Sequence, residues 1–445
     1  MLHSQLVNDD LGCASYIVGC EEAGEAVVVD PPLAIESVLR EAERLDVRIV
    51  RTLETHTHAD HVSGHGRLAL EHDVPVSIHP AAEVDYPHDP LLDGAELAVG
   101  RVRIRAIHTP GHRPEHCCLA VVDTTRADEP WLVLTGDSLF VGDAARPDLA
   151  VEAATGAAGL FHSLRRLLEL PDGVEVFPGH VAGSLCGKAM SSRSSTTIGF
   201  ERRFNPMATI DVLDAFVAES ASGSAPKPPN LARIVSLNQG PFREAEPVPP
   251  ELPVPPEGTQ LLDVRTVEAH LAGHRPGAIN VPVGGTSFST KAGFTLDVDA
   301  PVTVQATDEA EAGRAIAGLR SVAFREVAGY VLGDGPERSP FVKIDELDQL
   351  LAAGATVIDV REKDERDEGY IPGSRNVPYR LMRLCCPDLP SDQPVVTICG
   401  SGPRAAIAAS ILRAKGVDAR PVVDGGMNDW LARGQTAVTF RRCGS

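Results

Sequence analysis

The chain has 445 residues, a length that suggests about three domains, and its 43% apolar content is ample for packed cores. A net charge of −21 argues against a nucleic-acid partner, whose phosphates need clustered Lys and Arg, and against anionic membranes. No apolar run reaches the about eighteen residues of a membrane span, and the N-terminus lacks the plan of a signal peptide. Nine cysteines without framework spacing fit a reducing, cytoplasmic compartment.

The first 200 residues alternate short strands and helices. Strands are predicted at 26–30, 47–50, 74–78, 102–107, 119–122, 131–134 and 174–177, and helices at 35–45, 158–170 and 210–217. Between two of these, His56-Thr57-His58-Ala59-Asp60-His61 packs four metal-binding side chains into six residues. His56 and His58 alternate along an extended loop, and Asp60 is placed to cap a helix running through Val62, Leu68, Ala69 and Leu70. Further candidates follow predicted strands: His112 after Thr109-Pro110-Gly111, Asp137 after Thr135-Gly136, and His180 after Pro178-Gly179. Small residues beside each allow tight turns around a buried ion. Cys13, Cys20, Cys117 and Cys118 lie in apolar contexts and are expected in the core.

Residues 220–229 read as a loop, and 244–258, with six prolines, as an extended linker. Beyond it, Asp263-Val264-Arg265 to Asn280-Val281-Pro282 matches Asp359-Val360-Arg361 to Asn376-Val377-Pro378 at a constant offset of 96 residues. That period is too long for a solenoid and indicates two copies of one domain. In the second copy a buried-strand pattern, Val395-Val396-Thr397-Ile398, precedes Cys399-Gly400-Ser401-Gly402-Pro403-Arg404 and a helix over 405–415. Backbone N–H groups and a helix dipole at such a turn stabilise a thiolate, which makes Cys399 a nucleophile. In the first copy Ala306 aligns on Cys399, and Asp308, Glu309 and Glu311 follow it.

The order of motifs over residues 1–240 resembles the metallo-β-lactamase superfamily, an αββα sandwich with a metal site on one edge. All seven ligand-type residues of its two-metal site are present: His56, His58, Asp60, His61, His112, Asp137 and His180. The stretches 135–149 and 178–188 look like the persulfide dioxygenases of that superfamily. This resemblance implies one Fe(II) held by His56, His112 and Asp137, with positions open for substrate and O2. His58, Asp60, His61 and His180 would then orient ligands or water, or bind a second metal. Arg146 and Asp148, read as a salt-linked pair, and Cys186 are substrate-pocket candidates. Asp359-Val360-Arg361, Asp424-Gly425-Gly426-Met427 and the Cys-x4-Arg loop resemble a rhodanese over 341–437, with Cys399 and Arg404 catalytic and Gly400, Ser401, Gly402 and Pro403 forming the persulfide-binding loop. The loop is one residue shorter than that of related phosphatases, which favours sulfur over phosphate.

The fold expected is α/β multidomain: a metallo-β-lactamase-fold domain at 1–243, a linker at 244–258, an inactive rhodanese-like domain at 259–338 and an active rhodanese at 339–445. The function implied is oxidation of low-molecular-weight thiol persulfides to sulfite, coupled to transfer of sulfane sulfur from Cys399 to give thiosulfate. The alternative is a two-metal, zinc-class thioester hydrolase resembling glyoxalase II, with an appended sulfurtransferase. Small-molecule persulfide, O2 and sulfite are the expected partners, and a homo-oligomer is left open.

Overall fold

The computed structural model describes residues 1–148, 150–181, 193–221, 226–385, 389, 393–433 and 438. They form two compact units, one of residues 1–246 with 320–323 and one of 247–319 with 324–445. Among the described residues no helix is long and apolar enough to cross a membrane.

The first unit contains, in chain order, β1 (Leu2–Val7), β2 (Ala14–Cys20), β3 (Glu25–Val29), α1 (Glu36–Arg44), β4 (Arg48–Leu53), α2 (His65–His72), β5 (Val76–Ile78), β6 (Asp89–Pro90), β7 (Glu96–Val99), β8 (Val102–His108), β9 (Cys117–Asp123) and β10 (Leu132–Gly136). They continue with β11 (Leu139–Phe140), β12 (Asp143–Ala144), α3 (Ala153–Leu167), β13 (Glu175–Pro178), β14 (Thr196–Thr197), α4 (Ile198–Phe204), α5 (Leu213–Ala221) and α6 (Leu231–Gln239). Two six-stranded sheets result, ordered β1-β2-β3-β4-β5-β6 and β14-β13-β10-β9-β8-β7.

The period-2 alternation of strands explains how these sheets stack. Cys117, Leu119 and Val121 of β9 join Tyr16, Val27 and Leu53 of the other sheet in one shared core. Cys118 and Ala120 point the other way, into a core with Leu160 and Leu164 of α3 and Phe216 of α5. On the far side, Ile17 and Val28 pack with Val38 of α1 and Leu68 of α2. The sandwich is therefore αββα, and strands buried on both faces read as continuous apolar runs, as Cys117–Asp123 does. One local expectation fails. The helix near the His motif begins at His65 with Gly64 before it, so Asp60 does not cap it. The Asp60 carboxylate is engaged by His61 and His180 instead.

The second unit holds β15 (Gln260–Asp263), α7 (Val267–Ala272), β16 (Ile279–Asn280), α8 (Phe288–Thr295), β17 (Val302–Ala306), α9 (Glu309–Ser321) and β18 (Val327–Leu332). Then come β19 (Val342–Lys343), α10 (Leu347–Ala352), β20 (Thr356–Asp359), α11 (Lys363–Asp367), β21 (Arg375–Asn376), β22 (Val395–Ile398), α12 (Pro403–Ala414), β23 (Ala419–Asp424) and α13 (Met427–Ala432). The parallel orders β16-β15-β17-β18 and β21-β20-β22-β23 are the same arrangement used twice, with β19 added to the second beside β23. Register agrees too: Gln260 pairs with Val302 where Thr356 pairs with Val395. Asn280 Nδ2 donates to the carbonyls of Asp263 and Arg265 at 3.0 Å each, and Asn376 Nδ2 to those of Asp359 and Arg361 at 3.0 and 2.9 Å. The repeated letters thus rebuild one hydrogen-bond network. The proline-rich segment ends extended along β18, with Leu252 N–H on Tyr330 O at 2.7 Å.

Candidate metal centre and cysteine loop

Four loops at strand ends bring the ligand-type residues together: those after β4, β8, β10 and β13. Ligand atoms of His56, His112 and Asp137 all lie within 4.8 Å of one another, and all three residues are buried. Asp137 Oδ1 accepts from His180 Nδ1 at 2.8 Å, while Oδ2 is buried without a hydrogen-bond partner and stands 3.5 Å from His112 Nε2. An orphaned carboxylate oxygen facing two imidazoles is the signature of a cation site, because leaving it unpaired costs about 1–3 kcal/mol. These residues fit a divalent metal.

Each imidazole is oriented from behind. Thr55 Oγ1 donates to Asp30 Oδ2 at 2.8 Å and so receives His56 Nδ1–H at 2.9 Å, which turns Nε2 inward. His112 Nδ1 donates to the Arg146 carbonyl at 3.1 Å. Burial lowers the pKa of both His56 and His112, keeping them neutral, the form that ligates metals. Asp137 is held ionised: burial opposes this, but His180 and His112 outweigh it and lower its pKa.

His58 lies between the His56 and His61 rings, and its Nδ1 is buried without a hydrogen-bond partner. Its Nε2 lies 3.3 Å from both Asp30 Oδ1 and Glu54 Oε2, and its Nδ1 is 4.0 Å from Asp60 Oδ1. Burial works against charging this ring, yet the two carboxylates raise its pKa well above the usual value. Asp60 and His61 adjoin each other at 3.2 Å, and Asp60 Oδ2 reaches His180 Nε2 at 2.8 Å. Arg146 and Asp148 do pair, at 2.7 and 2.9 Å, but the atom of Arg146 that touches the centre is its carbonyl. Cys186 lies outside the described residues.

Several supports were not legible as motifs. His116 Nε2 accepts the Asp137 N–H at 3.0 Å, and burial drives its pKa down to about 3, so it stays an acceptor. Gly136, at φ +46°, lets this turn form: a Cβ there would meet His116 Nε2 at 2.7 Å and Thr55 Oγ1 at 2.8 Å. Asn238 of α6 clamps the His loop, donating to the carbonyls of His58 and His61 at 2.9 and 2.8 Å and accepting from Ser63 N–H at 2.8 Å. Cys13, expected in the apolar core, is buried but faces polar groups, with Sγ 3.1 Å from Asp60 Oδ2. Cys20, Cys117 and Cys118 do join the cores.

In the second unit Cys399 follows β22 and precedes α12, buried to 1% exposure, and its Sγ accepts Gly402 N–H at 3.1 Å. Gly426 packs on this turn so closely that a Cβ would lie 2.3 Å from Gly400 O. Arg404 is committed to Glu365 through two bonds of 2.6 and 2.7 Å, which raise its pKa further. It therefore fixes the loop against α11. In the first copy Ala306 ends β17 at the place of Cys399. Ala269 and Glu311 stand where Glu365 and Arg404 would be, so the nucleophile and its brace are both missing.

The metallo-beta-lactamase superfamily model matches residues 8–180, and the rhodanese-like domain model residues 343–433. An uncharacterized protein of Aquifex aeolicus is 31% identical over 212 residues, covering 43% of this chain and 90% of that protein. The mitochondrial persulfide dioxygenase ETHE1 of Bos taurus is 28% identical over 233 residues, covering 50% of this chain and 82% of that one. A crystal structure of a metallo-beta-lactamase from Staphylococcus aureus superposes with a TM-score of 0.68 at 28% identity, over 75% of this chain and 99% of that one. The chain thus belongs to the metallo-beta-lactamase superfamily and carries a C-terminal rhodanese-like domain.

Proposed function

We propose that the chain oxidises a low-molecular-weight thiol persulfide with O2, releasing sulfite and thiol, and passes sulfane sulfur through Cys399 to sulfite, giving thiosulfate. Its role would be cytoplasmic sulfide detoxification. One observation carries the reading: ligand atoms of His56, His112 and Asp137 meet at a single buried point, with one oxygen of Asp137 left unpartnered there. Two imidazoles and one carboxylate suit Fe(II) with open positions. The similarity to ETHE1 supports the same substrate class.

Fe(II), one per chain, would supply the coordination and electron chemistry that lets O2 react with sulfur. The protein's own groups do the rest. Asp137 offers Oδ2 because His180 occupies Oδ1. Thr55 and the Arg146 carbonyl aim the two imidazoles, and burial of all three ligand residues excludes water.

In the rhodanese-like domain the Cys399 thiolate would attack the outer sulfur of a persulfide. The S–S bond breaks, thiol leaves, and Cys399 carries the sulfane sulfur. Sulfite then attacks that sulfur, forming thiosulfate and restoring the thiolate. The Gly402 N–H and the α12 dipole stabilise each anionic state. The middle copy, at 259–338, would be an inactive rhodanese that serves packing, since Ala306 has no nucleophile.

The test is Cys399→Ser in the iron-loaded chain. O2 uptake should persist while the product shifts from thiosulfate to sulfite. Continued enzymatic thiosulfate formation would refute the transfer step.

A further inference from the structure

A cavity of about 260 Å3 opens where the two copies of the repeat meet in the second unit. Helix α12 packs there on β16 of the first copy, and Asn280 N–H donates to Ser410 Oγ at 3.0 Å. The cavity lies beside the last turn of α12. His274, Glu337 and Arg338 line it from the first copy, and Arg413 from the second. The Cys399 loop is at the other end of that helix, 12 residues long and so about 18 Å away. The cavity is therefore a site apart from the nucleophile.

Its charges do not balance. Arg413 is half-buried, and the acceptors it finds are neutral: the Ala419 carbonyl at 3.0 Å and His270 Nε2 at 3.2 Å. Burial lowers the His270 pKa and keeps that ring neutral, with Nδ1–H on Asp263 Oδ2 at 2.9 Å. Arg413 Nε is buried without any partner. The carboxylate whose charge reaches it, Asp418, is engaged by Arg420 at 2.8 and 3.2 Å. Burial accordingly presses the Arg413 pKa down to about 10. Arg338 is exposed and has no carboxylate partner among the described residues. Among the described lining residues Glu337 is the one carboxylate, 3.8 Å from His274 Nδ1. The negative end of the α12 dipole offsets only part of the remaining charge. A guanidinium held out of water without a counter-charge is costly, and an anion in the cavity removes that cost. We propose that this cavity binds a small divalent oxyanion, of the class of sulfate and thiosulfate, between Arg413 and Arg338. Planar guanidinium groups present paired N–H donors that suit such oxygens. Thiosulfate is the product proposed above, but the site does not depend on that reaction. The first copy, which lacks a nucleophile, supplies one wall of the site.

The test is equilibrium dialysis of the full chain against radiolabelled sulfate, with unlabelled thiosulfate or chloride as competitor at equal ionic strength. Saturable binding is expected, displaced by thiosulfate and not by chloride. Arg413→Met should weaken it by about tenfold or more, the loss of a charge-assisted hydrogen bond. Arg338→Met should weaken it severalfold, and its exposed side chain keeps the test open should Arg413→Met fail to fold. Absence of saturable binding, or displacement by chloride as readily as by thiosulfate, would overturn the site. Binding unchanged in both arginine variants would place the anion elsewhere, at the Cys399 loop, and would overturn it too.

Discussion

His180 donates its Nδ1 proton to Oδ1 of Asp137 across 2.8 Å, and the other oxygen of that carboxylate is left buried with no hydrogen-bond partner. Asp137 is thus presented to the centre by one oxygen in a fixed direction. Asp137→Asn replaces that oxygen or its neighbour with an amide and removes the charge. Bound iron per chain should fall from about one to near zero at micromolar metal, while thermal unfolding of the metal-free chain shifts little. Undiminished iron content in the variant would remove Asp137 from the ligand set.

Thr55 acts one bond further out. Its hydroxyl relays Asp30 to His56 Nδ1, over 2.8 and 2.9 Å, and has no direct line to a metal. Thr55→Val keeps the shape and loses both bonds. Such outer partners typically contribute about 10–100-fold in metal affinity, and a loss of that order is expected by competition with a chelator.

Asn238 makes three hydrogen bonds to the His loop from α6, 177 residues away from His61. Asn238→Ala strands two buried carbonyls and one N–H. The expected cost is about 2–3 kcal/mol of stability, read as a lower urea midpoint, with metal affinity falling in parallel. If the midpoint is unchanged, the clamp does not hold the loop.

These supports mark where sequence stops being informative. The His56–His61 run, Asp137 and Cys399 were legible because their chemistry requires particular residue types at short spacing. The strand runs were legible because double burial writes continuous apolar stretches, and the repeat because Arg265 and Arg361 solve the same packing problem. Asn238, His116 and Cys13 were not: each is one ordinary residue brought in by tertiary folding across distances no local pattern encodes. Asp60 misled for a related reason. An aspartate before an apolar run looks like a helix cap, but its carboxylate is worth more between His61 and His180.

Acid should unfold the metal-free chain through Glu54. Burial alone would raise its pKa, but attraction to His65 and hydrogen bonds with His58 and His65 bring it down to about 2. A depressed carboxylate contributes stability above its unfolded pKa, near 4.5, and loses it as pH falls toward 2. Urea midpoints should therefore drop between pH 4.5 and 2, and Glu54→Gln should flatten that limb. An equally steep limb in the variant would assign the acid transition to other carboxylates.

The ion pair of Glu365 with Arg404 makes a prediction distinct from that of the nucleophile. Glu365→Ala frees the guanidinium and loosens the loop, so sulfur transfer should slow by about tenfold or more while O2 uptake is untouched. Unchanged transfer would show that the loop holds its shape without this brace.

The central claim is that the metal centre performs oxygen chemistry on a persulfide. It is tested most directly by loading the full chain anaerobically with Fe(II), adding a thiol persulfide, and following O2 with an electrode while sulfite and thiosulfate are assayed. The account predicts one O2 consumed per persulfide oxidised, with sulfite and thiosulfate together accounting for the oxidised sulfur. Thioester hydrolysis by the same preparation, with no O2 consumed on persulfide, would contradict it.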